Sequence, residues 1–479
     1  MVLNSLSFAA FFLIFLAVLL LLPKKLRKAW LFLGSSWFYL SWERWGYVLL
    51  LLSALMIWLC GLGISAVREQ GDADKKRGLC LLLLVIPLLW NVGLLILFKY
   101  TGLLGSLLSR FRLSAPLKVS DLLPPLGISF YTLRCISYTA EVYKGSISAV
   151  RNPFDLIIYV SFFPQIISGP IERPGKFFQE LSCFCEKKLW DFEKIRDGFL
   201  LFVWGLFLKI VLAERLSVIT AHYFGDFHQY GFWELLTASL AYTLQIYCDF
   251  GGYSDMSRGI AGMIGFSAMR NFRQPYLAAG IKSFWRRWHI SLTSWLTDYV
   301  YIPLGGSRKG LPRKCLNILI VFAVSGLWHG STLNFLFWGL LHAGFQIAED
   351  LRTRAGFRLP GWLLRVITLT EVNFAWIFFN AGGLNRGFRI IRQMFSRFSL
   401  PAVWDLGLVP GNLVVLGLGL PLLFLVDLLH ERGISINRKA AALPLLLRWV
   451  IVLGLFWVVI MLGIYGVGYD TSGFIYAQF

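Results

Sequence analysis

The stretch that decides the fold is "GYVLLLLSALMIWLCGLGISA", residues 46–66, which contains no charged side chain. A helix of this length crosses a hydrocarbon core roughly 30 Å thick. Strands of a membrane β-barrel would instead alternate apolar and polar residues. Further apolar runs occur at 6–22, 79–98, 199–213, 315–328, 411–429 and 446–468. This pattern predicts an all-α, polytopic membrane protein.

The composition supports the same class. Of the 479 residues, 57% are hydrophobic and only 15% are charged, with a mean hydropathy of +0.65. A water-soluble domain of this size would not tolerate these values. We find no linker, repeat or low-complexity tract, which predicts a single membrane-embedded domain over residues 1–479. Unusual motifs mark a catalytic core between about residues 120 and 345, and polar residues are densest from 240 to 345, where we expect a polar core because polar groups within membrane segments are costly.

The basic residues indicate topology. The formal net charge is +20, but the basic side chains are scattered between apolar runs. This scatter favours contacts with lipid headgroups over nucleic-acid binding. The first apolar run has no basic residue before it and ends in "PKKLRK", residues 23–28. The positive-inside rule predicts that this segment is cytoplasmic and that the N-terminus is extracytoplasmic. The sequence thus predicts a multi-pass protein of the cell membrane.

Proline and glycine interrupt the apolar pattern at three places. Pro124, Pro125 and Gly127 precede one run, and "FFPQIISGPIERPGKF", residues 162–177, follows another. Such breaks at membrane depth must be covered by protein or line an aqueous cavity, so we expect broken or re-entrant helices. In "CDFGGYSDMSRG", residues 248–259, the double glycine predicts another helix break. Its two aspartates are expected to pair with Arg258 or with the basic residues at 286–287.

Seven cysteines lie mostly within or beside apolar runs and are interpreted as small buried side chains. Cys183 and Cys185 flank one phenylalanine, but no second pair of ligands accompanies them at zinc spacing. The sequence therefore predicts no metal site.

His329 is the first candidate catalytic residue. It closes an apolar run that begins near Ile318, and Gly330 follows it. Desolvation disfavours a cationic imidazole in such a place, and a neutral imidazole can accept a proton as a general base. The structural alternative is a helix-end histidine whose ring is satisfied by a carbonyl group.

His289 is the second candidate, within "SFWRRWHISLTSWL", residues 283–296. The guanidinium groups of Arg286 and Arg287 suit phosphates or carboxylates, and Trp285 and Trp288 could seat them at the membrane interface. The alternative is an interfacial anchor whose histidine faces the lipid headgroups. Because the two candidate histidines lie on separate elements, they could form two sides of one cavity.

Several motifs together indicate a family. "FWRRWHISLTSWLTDYVYIPLGGSRKG", residues 284–310, followed by "GLWHG", residues 326–330, closely resembles the membrane-bound O-acyltransferase family, in the branch of the alginate O-acetyltransferase membrane subunit. The likeness extends to "GISFYTLRCISYTAEVYKG", "FFPQIISGPI", "QIYCDFGGYSDM" and "NFRQPY", in the order of the family. It implies a ring of transmembrane helices around a thin central partition, with cytoplasmic and extracellular funnels that meet at the reactive centre.

The resemblance also implies roles for individual residues. His329 would be catalytic and His289 the second functional position. The side chains expected to contact substrate are Trp285, Arg286, Arg287, Asp298 and Trp328. Thr297 departs from the family pattern, in which arginine is usual at this place, so a third positive charge beside Asp298 is in doubt.

The implied reaction moves an acyl group, acetyl by preference, from a cytoplasmic thioester to hydroxyls of an exported cell-surface polysaccharide. The thioester, acetyl-CoA or an acyl carrier, would be a co-substrate, with no bound cofactor. An extracytoplasmic acyltransferase subunit would complete the transfer. One alternative is D-alanyl or other acyl transfer from a carrier protein to a cell-wall polymer. Another is a transporter or glycan channel, because broken helices and midplane charges also occur there, although we detect no internal repeat.

Overall fold

The computed structural model describes residues 1–70, 76–100, 124–401 and 404–464. Within these ranges every regular element is helical. Six of the described helices are long and apolar enough to cross a bilayer. The prediction of an all-α, polytopic membrane protein is therefore confirmed.

The described residues fall into two compact units. Unit 1 comprises Met1–Phe199 with Ser257–Met269, and unit 2 comprises Leu200–Met256 with the described residues from Arg270 onward. The single domain over residues 1–479 stays a prediction.

The helices that begin in unit 1 are α1 (Leu6–Leu21), α2 (Arg27–Leu40), α3 (Arg44–Glu69), α4 (Arg77–Lys99), α5 (Ile128–Lys144), α6 (Pro153–Ser161), α7 (Pro174–Ser182) and α8 (Phe192–Leu206). Those that begin in unit 2 are α9 (Glu214–Gly225), α10 (Phe232–Met263), α11 (Ile281–Trp285), α12 (Ile290–Leu296), α13 (Gly310–His329), α14 (Leu333–Arg354), α15 (Gly361–Asn380), α16 (Leu384–Met394), α17 (Pro410–Glu431), α18 (Ile436–Ala441) and α19 (Leu445–Leu462).

In unit 1 the backbone is not helical at either predicted break, over residues 124–127 and 162–173, and residues 101–123, which precede the first, lie outside the described residues. Helix α5 begins directly after Gly127, whose φ of 66° is left-handed, and a Cβ there would lie 2.2 Å from the Ile166 carbonyl oxygen. The segment between α6 and α7 is buried but not helical. Arg134, only 1% exposed, donates to the Tyr159 carbonyl oxygen at 2.7 Å and to Gln165 Oε1 at 2.5 Å. A buried guanidinium thus supplies donors that regular helix would otherwise provide.

The break predicted at Gly251 and Gly252 is wrong, because α10 is continuous through both residues. The glycine instead allows close helix packing. A Cβ on Gly252 would lie 2.6 Å from the Gly205 carbonyl oxygen, so a side chain at this position would push the helix away.

The structure pairs Asp249 with a lysine. Its carboxylate lies 2.6 Å from Lys209 Nζ, and Lys209 binds Glu214 at 2.8 Å as well. Lys209 belongs to a π-helical segment, Phe207–Ala213, between α8 and α9. Asp249 therefore has a partner on a neighbouring helix that the sequence did not indicate.

Helices α13 and α14 form the close pair that positions His329. A Cβ on Gly326 would lie 2.4 Å from the Phe335 carbonyl oxygen, and one on Gly339 would lie 2.2 Å from the Phe322 carbonyl oxygen. Both distances are far below van der Waals contact with backbone atoms. The two backbones therefore touch, and the end of α13 is held in a fixed position.

Candidate active site

His329 is the last residue of α13 and is 2% exposed. Its Nδ1 lies 2.7 Å from the carbonyl oxygen of Ser325, one turn earlier. A carbonyl oxygen can only accept, so Nδ1 carries the ring proton of the neutral imidazole and Nε2 carries the lone pair. A helix-end histidine with a purely structural role would also make this contact with a carbonyl group. The same contact fixes the tautomer that a general base requires.

Aromatic rings surround this imidazole. The ring centroids of Trp328 and Trp338 both lie 4.9 Å from that of His329, and the centroid of Phe379 lies 5.6 Å away. All three rings meet the imidazole edge to face. They shield His329 from bulk water and restrict what can approach it.

His289 lies between α11 and α12 with a left-handed backbone, φ 43°, which is uncommon for a residue other than glycine. Asn271 supports this conformation, because its carbonyl oxygen accepts from the Ile290 N–H at 2.9 Å and its Oδ1 accepts from the Ser291 N–H at 3.2 Å. The imidazole is 1% exposed. A histidine facing the lipid headgroups is therefore the wrong interpretation.

The structure brings the two candidate histidines together. The His289 ring lies 6.0 Å from that of Trp328, so both imidazoles contact the same indole. His289 lies outside the six apolar spans. Burial lowers the pKa of its imidazole well below the ordinary value, and repulsion from His329 lowers it further. Burial thus favours the uncharged form of the His289 imidazole.

A cleft of about 390 Å³ in unit 2 leads toward His329. Its polar or charged lining residues include Lys282, Arg286 and Lys314, and Arg286 is exposed. The most buried lining residues are apolar or small: Trp285, Leu292, Leu296, Ile318, Phe322 and Ser325. The cleft is therefore basic at its exposed end and apolar at its inner end. It reaches Ser325, the residue whose carbonyl orients His329.

Of the residues expected from the sequence to contact substrate, some lie in or beside the cleft and others do not. Trp285 and Arg286 line the cleft, and Trp328 lies between the two histidines. Arg287 makes a bidentate pair with Glu431, with N–O distances of 2.7 and 2.8 Å. Asp298 is half-buried in the π-helical segment Thr297–Tyr301 and is not among the residues that line the cleft.

Trp288 is not at the membrane interface, and three residues of the cleft region were not expected from the sequence. Trp288 is 1% exposed and packs 5.1 Å from Trp376, so its interpretation as an interfacial anchor is wrong. Lys282, Lys314 and Ser325 were not among the expected site residues. Ser325 could have been identified from the sequence, because it lies four residues before His329 on the same helix and hence on the same face.

Comparison with known proteins decides the family. Residues 146–388 match the model of the membrane-bound O-acyltransferase family. The chain belongs to this family. It is therefore an O-acyltransferase embedded in the membrane, as the motifs predicted.

The names of proteins similar to this membrane-bound O-acyltransferase indicate that they act on polymers. "Probable alginate O-acetylase AlgI" of Pseudomonas aeruginosa is 34% identical over 83% of this chain and 75% of its own length. The peptidoglycan O-acetyltransferase of Helicobacter pylori is 33% identical over 77% of this chain and 73% of its own length. The teichoic acid D-alanyltransferase of Bacillus subtilis is 28% identical over 47% of this chain and 58% of its own length.

Proposed function

We propose that this acyltransferase moves an acetyl group from a cytoplasmic thioester to a hydroxyl of an exported polysaccharide. The observation that carries the proposal is the His329–Ser325 contact at the inner end of a basic-rimmed cleft. This contact leaves Nε2 as the proton acceptor of the ring, and Ser325, which makes the contact, lines the inner end of the cleft. In the proposal, cytoplasmic and extracellular funnels deliver the two substrates to this centre.

The proposed reaction needs one base and no resident cofactor. His329 Nε2 takes the proton of the acceptor hydroxyl while the hydroxyl oxygen attacks the thioester carbonyl carbon. The tetrahedral oxyanion then collapses, the carbon–sulfur bond breaks, and the imidazolium returns the proton to the departing thiolate. The products are an ester and a free thiol. A positioned histidine base typically contributes a factor of about 10² to 10⁴ to the rate.

The polarity of the cleft suits a phosphorylated thioester. Arg286 provides a cationic donor for phosphate oxygens at the exposed end, beside Lys282 and Lys314, which both pair with Asp350. The buried apolar residues suit the acyl end of the donor. Both coenzyme A and a carrier protein present a phosphate-bearing arm that ends in a thiol, so either fits this description. His289, beside Trp328, would orient the donor near the base.

The relatives favour acetyl over D-alanyl as the transferred group. The O-acetyl-transferring relatives align over most of this chain at 33–34% identity, whereas the D-alanyl-transferring relative aligns over about half of it at 28%. We take the acceptor to be a cell-surface polysaccharide on the extracytoplasmic side, where a separate acyltransferase subunit would complete the transfer. D-alanyl transfer to a cell-wall polymer is the second candidate.

The test uses purified protein in detergent, where transport across a membrane has no meaning. The protein is incubated with radiolabelled acetyl-CoA, a polysaccharide isolated from the cell surface and an extracytoplasmic extract that supplies the separate acyltransferase subunit, and the same mixture without the protein is the control. We expect protein-dependent release of free thiol and alkali-labile label on the polysaccharide. A transporter or glycan channel would leave the label on the thioester, and that result would overturn the proposed function.

A further inference from the structure

We infer that the indole of Trp285 sets the length of the acyl group, so that the cleft accepts acetyl and excludes longer chains. This inference rests on the proposed function and deepens it, because it names the residue that selects the donor. It is carried by the position of Trp285 at the inner end of the cleft, by the packing behind it and by the close contact that holds the α13 wall against α14.

Trp285 separates the cleft from a fully buried aromatic layer. The indole lines the cleft and is 6% exposed. On the cleft side its ring lies 5.3 Å from Phe322, which also lines the cleft. Its ring also packs 5.8 Å from Trp338 and 4.9 Å from His342, neither of which lines the cleft. Trp285 is therefore the end wall, and the two residues behind it support that wall.

The layer behind the wall leaves no room for an acyl chain. Trp338 and His342 are both 0% exposed. Trp338 stacks on Trp376, with ring centroids 5.6 Å apart, and its other neighbours include His329 at 4.9 Å. A chain longer than acetyl that approaches the base would have to displace one of these indoles. Protein interiors packed in this way resist such displacement.

The α13 wall of the cleft cannot shift away from α14. The contacts of Gly326 with the Phe335 carbonyl and of Gly339 with the Phe322 carbonyl bring the α13 and α14 backbones together along the inner part of the cleft. Backbone atoms in contact cannot adjust as a flexible side chain does. The α13 wall is therefore held in place, and Trp285 is the largest side chain in the lining.

The indole also offers a polar group to the donor. Trp285 Nε1 is buried and has no hydrogen-bond partner in the described part of the chain. Buried indole N–H groups usually find an acceptor. A thioester carbonyl at the end of the cleft would supply one, while the ring blocks the space in which further methylenes would lie.

The experiment compares acetyl-, butyryl- and hexanoyl-CoA as donors in single-turnover transfer by the parent protein and by Trp285→Ala. We expect the parent to prefer acetyl over hexanoyl by at least about tenfold. Loss of the indole leaves an apolar space continuous with the cleft, in which each buried methylene improves donor affinity about fourfold. The variant should therefore reverse the preference and use hexanoyl-CoA better than acetyl-CoA.

Two further variants control the result. Trp362→Ala removes an indole that is 65% exposed on α15, and it should keep the parent's donor profile. Trp285→Phe removes less volume and should gain butyryl transfer. If Trp285→Ala does not yield a monodisperse protein or transfers no acyl group, the donor profile of Trp285→Phe tests the inference instead.

The outcomes separate this inference from the proposed function. If the parent transfers acetyl but uses hexanoyl equally well, or if both Trp285 variants keep its donor profile, the assignment of Trp285 is overturned while acetyl transfer stands. If the parent transfers no acyl group from any donor, the proposed function fails and this inference fails with it.

Discussion

His289 combines an unfavourable backbone with a buried side chain. Among the described residues other than glycine, only Gln274 and His289 have a positive φ, and such conformations cost of order 1–3 kcal/mol. Asparagine and glycine adopt this conformation with the least penalty. Substitutions at this position can therefore separate the role of the imidazole from that of the backbone.

We expect His289→Asn to fold normally but to require at least about tenfold more donor for half-maximal transfer, because the backbone is retained and the imidazole is lost. Donor saturation curves measure this effect. His289→Gly should behave in the same way, whereas the β-branched His289→Val should lower the Tm as well. A saturation curve for His289→Asn that matches the parent would show that the imidazole has no role in donor use.

At the scale of elements, the active site depends on contact between α13 and α14. The chain provides a matched pair of glycines on α14 with which to test this contact. A Cβ on Gly339 would meet the Phe322 carbonyl oxygen, whereas a Cβ on Gly344 would meet nothing within 4 Å. The two positions differ in packing but not in helix propensity.

We predict that Gly339→Ala destabilises the protein by about 1–3 kcal/mol, the usual cost of overpacking, and slows acyl transfer because the end of α13 moves. Gly344→Ala should be neutral or stabilise by up to about 1 kcal/mol through helix propensity. Thermal unfolding in detergent and transfer rates measure the two effects. Equal Tm values for the two variants would contradict the packing described for α13 and α14.

The elements also show what could be predicted from sequence. The run at 46–66 lies within Arg44–Glu69, because an apolar stretch needs only length to specify a spanning helix. The double glycine at 251–252 led to the wrong prediction of a helix break, because glycine occurs both at helix breaks and at close contacts between helices. The contact partner, Gly205, is distant in sequence and could not be recognised from it. The pair between Arg287 and Glu431 joins residues 144 positions apart, so only tertiary packing reveals it.

At the scale of the whole molecule, the orientation in the membrane stays a prediction. In unit 1 the basic segment after α1 lies beside residues 183–187. Lys24 pairs with Glu186 at 2.6 Å, and Arg27 donates to the Lys187 carbonyl oxygen at 2.8 Å. The two segments therefore share one face. Cys183 is exposed there, and each of the other six cysteines is buried or half-buried.

We predict that a membrane-impermeant maleimide labels Cys183 only after the cytoplasmic membrane is opened, because the positive-inside rule places Lys24 and Arg27 in the cytoplasm. Labelling of spheroplasts and of inverted vesicles measures this directly, and Cys183→Ser identifies the labelled site. Efficient labelling in intact spheroplasts would show that this face is extracytoplasmic and would reverse the predicted orientation of the N-terminus.

The central claim is that His329 Nε2 accepts the proton of the acceptor hydroxyl. The most direct measurement is the single-turnover rate of acetyl transfer at saturating acetyl-CoA, compared between the parent and His329→Ala prepared under identical conditions. We predict a fall of at least about a hundredfold, in a protein that remains folded and keeps the elution volume of the parent. A folded His329→Ala protein that transfers acetyl at close to the parent rate would contradict the account.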